Sequence, residues 1–218
     1  MSEFSATVAF RSAERWLRDK RFPEGIDAIL SRSNGSPQHS NLKSFLPGRV
    51  KRWALDAGPI PVFLTNDRRA EAAVALIDKV LERPVFNLVR GPGRAVIPRA
   101  GLVVSLGTAA GNPAEPHEIC IGNVSGLGDE TGWDDDTVDE QGRFRRPLCV
   151  RIDSPAGHRA TFDQVVHEFG HALGLGDHFP GFGKPQGAPA VDDAFWAALV
   201  RLYQLSPGDE YADASPPA

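Results

Sequence analysis

The sequence predicts an α/β (α+β) chain built around a mixed β-sheet, and three observations lead there. Short apolar strand candidates begin at Ile60 to Leu64, an amphipathic stretch of crossover length separates the first two of them, and two further helical patterns close the chain. At 218 residues the chain can bury one substantial core without requiring a second large domain.

Taken in order, Phe10, Ala13 and Leu17 recur at helical spacing, Pro23 interrupts the pattern, and a short helix is expected from Glu24 to Leu30. Ser31 to Asn41 is rich in Ser, Asn, Gly and Pro and reads as a loop. These features assign residues 1–57 to an N-terminal helical extension, propeptide-like in position, and residues 58–218 to a catalytic-sized domain. The extension holds no cysteine switch, and packing of Trp16 and its helix on the domain is the favoured role.

Within 58–218, Ile60 to Leu64 is the first strand. Asn66 can cap a helix to about Arg83 with Ala70, Val74, Ile77 and Leu81 on one face, ended by Pro84. Pro84 to Val89, Gly101 to Leu106, Glu118 to Gly122 and Leu148 to Ile152 are the remaining strand candidates. Gly91 to Arg94 lacks the lysine and hydroxyl residue of a phosphate loop and reads as a hairpin turn. Thr161 and Gln164 have capping-box spacing, so a helix should start there and reach about Leu173, with Gly174 supplying a left-handed end. Asp193 to Leu205 closes the chain with Phe195, Leu199 and Leu202 on one face, and Tyr203 within it reads as core.

Bulk properties narrow the function. A net charge of −4 and a pI near 5.9 provide no basic field for nucleic acid or an anionic membrane. No apolar run has the length of a membrane span, and Met1 to Lys20 lacks the unbroken apolar stretch of a secretion signal, which makes the cytoplasm the default location. Cys120 and Cys149 are too few for a disulfide framework; they read as two buried thiols, with one bridge as the alternative, and neither suggests a nucleophile.

The chemistry is concentrated in His167-Glu168-Phe169-Gly170-His171. Histidines four residues apart on a helix share a face one turn apart, so one divalent metal can bridge them. Neutral imidazole suits zinc, and a catalytic zinc needs three protein ligands with a fourth position open. Glu168 stands beside the first histidine, where a carboxylate can take a proton from metal-activated water and pass it to a leaving amine. The motif continues as Ala172-Leu173-Gly174-Leu175-Gly176-Asp177-His178, in which Gly174 allows the chain to turn back and deliver a third side chain.

This extended pattern resembles that of the metzincin zinc peptidases, with a glycine three and a third ligand six residues after the second histidine. Position six is Asp177, and Asp177 followed by His178 is similar to the snapalysin-type variant. The resemblance implies a zinc endopeptidase acting on peptide or protein substrates, with His167, His171 and Asp177 as metal ligands, Glu168 as general base, and His178 beside the site or exposed. It also implies a zincin-like, mostly parallel twisted sheet, with an antiparallel edge strand near Glu118 to Gly122 that pairs with the substrate backbone. The chain departs from that family in having no methionine between Gly181 and Ala190, where the family places one beneath the metal. The competing reading is a zinc-binding or peptide-binding module without turnover, against which Glu168 argues. A second candidate ion is Ca2+ at the acidic stretch Gly126 to Glu140, through Asp134 and Asp136; without an EF-hand pattern, a solvated loop is favoured there.

Overall fold

The computed structural model describes residues 3–35, 48–64, 67–89, 101–105, 119–123, 138–145, 148–151, 159–183 and 190–211. Among these, helices α1 (Val8–Asp19) and α2 (Ile26–Leu30) come first. Strand β1 (Ile60–Leu64), helix α3 (Arg68–Val80) and strands β2 (Phe86–Val89), β3 (Leu102–Ser105), β4 (Ile119–Asn123) and β5 (Leu148–Arg151) follow. Helix α4 (Phe162–Leu173), a two-stranded ribbon of β6 (Phe182–Gly183) and β7 (Ala190–Val191), and helix α5 (Asp193–Gln204) complete the order.

The five long strands form one sheet in the order β2-β1-β3-β5-β4, and all four pairings are parallel. This corrects the expected antiparallel edge strand, because β4 runs parallel to β5 with Ile119 opposite Leu148 and Cys120 opposite Cys149. The physical reason is the length of chain between them. Residues 124–147 are ample for a crossover, whereas antiparallel neighbours are typically joined by a tight hairpin. In β1 the alternation is plain, with Ile60 and Val62 buried and Pro61 and Phe63 half-buried. Helix α4 packs against β4, β5 and α3, which places the predicted metal helix on the sheet.

Asp67, and not Asn66, caps α3, its carboxylate accepting from the Arg69 and Ala70 N–H groups. Ala9, Ala13, Trp16, Leu30, Val50 and Trp53 share one hydrophobic core with residues of the later elements. Polar ties cross the expected boundary at 57/58 as well. Asp163 in the first turn of α4 accepts from Ala9 N–H at 2.8 Å, Trp196 Nε1–H donates to Ser12 Oγ at 2.9 Å, and Trp53 Nε1–H donates to Ala172 O at 2.9 Å. Part of the expected Ser31 to Asn41 loop is a single π turn, Ser31–Gly35, in which Ser33, Asn34 and Gly35 are buried. No helix among the described residues is long and apolar enough to cross a membrane.

Candidate metal centre

Helix α4 begins with the predicted capping box: Thr161 Oγ1 accepts from Gln164 N–H, and Gln164 Oε1 accepts from Thr161 N–H. It ends where Gly174, at φ 118°, turns the chain and donates its N–H to the carbonyls of Gly170 and His171. No other residue is suited here, since a Cβ would also lie 2.7 Å from the Lys51 carbonyl. The turn carries Leu175 to a position where its N–H donates to Gly170 O at 3.0 Å and its carbonyl lies 2.7 Å from His171 Nδ1. A carbonyl can only accept, so Nδ1 carries the hydrogen, which in the neutral form of the ring leaves the lone pair on Nε2. Helix-end geometry thereby sets the tautomer of a candidate ligand.

Three imidazoles converge. His178 Nε2 lies 3.1 Å from His167 Nε2 and 3.2 Å from His171 Nε2, and the ligand atoms of all three residues lie within 4.8 Å of one another. A ring nitrogen holds either one hydrogen or one lone pair in its plane, so His178 Nε2 cannot serve both contacts as ordinary hydrogen bonds. A single cation accepting three lone pairs resolves the conflict. Tetrahedral coordination at zinc–nitrogen distances of about 2.0–2.1 Å places ligand nitrogens about 3.3–3.4 Å apart, close to the two short separations. The three imidazoles could therefore hold a metal ion.

The arrangement runs from interior to surface. His167 is 2% exposed and Glu168 7%, His171 is half-buried, and His178 is exposed. Beneath all three imidazoles lies Phe182, fully buried, with ring centroids 4.5 Å from His167, 4.7 Å from His171 and 5.4 Å from His178. Phe182 packs in turn on Phe195 at 5.2 Å. Gly170 makes room for this stack, since a Cβ there would fall 2.5 Å from the Phe195 ring and 3.1 Å from Phe182. The segment in which the family resemblance implies a methionine thus supplies an aromatic floor.

His167 and His171 stand where the spacing placed them, with Glu168 beside them on the same buried helix. The third member of the cluster is His178, and Asp177 is not in it. The reason lies in the strap between α4 and β6. The Asp177 backbone is tied to the N-terminal π turn: its N–H donates to Ser33 O at 3.0 Å, and its carbonyl accepts from Ser33 Oγ at 2.6 Å. The next residue is the one that reaches the histidines. His178, expected beside the site or exposed, is exposed and also joins the cluster, while Phe182, Ser33, Asn34 and Lys51 around it were not singled out from the sequence. A histidine directly after the expected ligand was the one signal that could have raised His178.

Behind the strap, Asn34 is fully buried with both ends of its amide engaged. Nδ2 donates to Lys51 O and Gly174 O, and Oδ1 accepts from Lys51 N–H and the Tyr211 hydroxyl. The Lys51 ammonium, 2% exposed, donates to the carbonyls of Asn34, Gly35 and Arg49 at 2.8 to 3.2 Å. Burial pushes Lys51 down to about 7. Tyr203 is core, as expected, its hydroxyl donating to Leu173 O at 3.1 Å and raised by burial. The acidic stretch lies outside the described residues as far as 137, as does the turn at Gly91 to Arg94. Comparison of the chain with protein-family models, curated proteins and solved structures finds no significant match.

Proposed function

We propose that this chain is a zinc-dependent endopeptidase, with His167, His171 and His178 holding the metal and Glu168 as general base. The convergence of three imidazoles, two of them on the helix that also carries Glu168, carries this reading. Imidazole donors favour zinc among common divalent ions, and three protein ligands leave a position for water or substrate. The likeness to metzincins lies in the helix motif and the Gly174 turn. It is modified in two places, since His178 follows His171 by seven residues in place of six, and Phe182 stands where a methionine is usual.

Bound there, zinc would polarise the scissile carbonyl and lower the pKa of water. Glu168 is held on the rigid helix with little access to bulk solvent, so its carboxylate can accept the proton of the attacking water and return it to the departing amine nitrogen. His178 is the exposed member of the three. The test is hydrolysis of a mixed peptide library by zinc-loaded protein, with and without chelator, alongside Glu168→Gln. Chelator-sensitive cleavage lost in Glu168→Gln, with zinc retained, is expected. A zinc-loaded wild type that cleaves nothing leaves a binding module as the better reading.

A further inference from the structure

The metal centre draws on a part of the chain far from its motif. His178 lies between two peptide groups, and each is pinned. On one side, the 177–178 carbonyl accepts from Ser33 Oγ at 2.6 Å; on the other, the 178–179 N–H donates to Phe182 O at 2.7 Å. Both flanking peptide planes are held, so the backbone direction from which the His178 side chain departs is held with them. The strap is tied further by Gly176 N–H and Asp177 N–H, both to Ser33 O, and by Gly174 O to Asn34 Nδ2. These ties all end on the π turn, 140 or more residues earlier in the chain. The turn itself is held by Lys51, whose ammonium takes the carbonyls of Asn34 and Gly35.

We infer that Ser33 and Asn34 are positioning residues for the third metal ligand, so that the N-terminal segment is a working part of the metal centre and not a removable cover. This rests on the reading of His167, His171 and His178 as the metal site. Without the Ser33 hydroxyl the 177–178 peptide loses a bond that fixes its plane, and the His178 imidazole samples orientations in which Nε2 misses the metal. Groups that orient metal ligands from behind commonly contribute about tenfold to a hundredfold in affinity.

The test is Ser33→Ala in the full chain, which leaves the Ser33 carbonyl and its two bonds intact, with Ser33→Thr retaining the hydroxyl. Zinc affinity is measured by chelator competition, the visible spectrum is recorded with cobalt in place of zinc, and melting is followed without metal. The expected result for Ser33→Ala is a roughly tenfold or larger loss of zinc affinity and a weakened tetrahedral cobalt spectrum, with Ser33→Thr closer to wild type. Equal zinc affinity and an unchanged cobalt spectrum in Ser33→Ala, whatever happens to metal-free melting, overturn the positioning role while leaving the metal site standing. A wild type that takes up neither metal overturns the metal site and this inference together.

Discussion

Replacing Phe182 with alanine would remove the ring on which all three imidazoles rest. The side chain is fully buried and touches His167, His171, His178 and Phe195, so the loss combines unburied apolar surface with a cavity under the site. Phe→Ala in such a setting costs about 3–5 kcal/mol. The exposed His178 at the rim gives the site some room to collapse, which favours the lower half of that range. For a chain of this size each kcal/mol moves the melting temperature by about 2–4 °C, so a drop of roughly 6–16 °C is expected. Urea unfolding in chelator isolates this packing contribution, and repeating it with zinc adds the metal's. Each tenfold loss of zinc affinity removes about 1.4 kcal/mol from the zinc-dependent increment. Phe182→Ala should shrink both quantities, while Phe182→Met, a closer match in volume, should cost less than about 1.5 kcal/mol. If Phe182→Ala lowers metal-free stability by less than about 1 kcal/mol and leaves the zinc increment intact, the floor assigned to Phe182 is wrong.

His178→Ala should reduce zinc binding by isothermal titration far more than Asp177→Ala, because only His178 joins the cluster; the reverse ranking would restore the carboxylate as ligand. Lys51 predicts a specific pH dependence. With its folded value lowered to about 7 from 10.5, the unfolded chain holds a proton between those limits that the folded chain lacks. Wild-type stability should therefore rise with pH across that window, by up to about 1.4 kcal/mol per unit, and this contribution should vanish below about pH 7, where both states are protonated. Lys51→Met should lack that rise in urea unfolding at pH 6, 7.5 and 9, and parallel profiles for the two proteins would refute the assignment.

The elements legible in the sequence are those written in local chemistry. Thr161 with Gln164, the His167 and His171 spacing, and Gly174 describe α4 from end to end, because a cap, a helical face and a left-handed terminus each depend on residues within one or two turns. The first strand and the closing helix were equally plain from their apolar patterns. The cap of α3 fell one residue late because Asn66 and Asp67 offer the same side-chain chemistry. What could not be read locally was decided at long range. Ser33 ties the strap from 144 residues away, a contact that counting positions from His171 does not reveal. Ser33 and Asn34 look like loop residues, and a fully engaged buried lysine is rare enough that Lys51 gave no warning. Phe182 carries no local signal, because its ring fits beneath the imidazoles only where Gly170, on another element, leaves no Cβ in its path.

X-ray absorption at the zinc edge of the metal-loaded 218-residue chain reads the coordination shell itself. The geometry of His167, His171 and His178 predicts three imidazole nitrogens at about 2.0–2.1 Å with one further light atom in the open position. A shell of two imidazoles and a carboxylate, or zinc bound without histidine, would contradict the central claim.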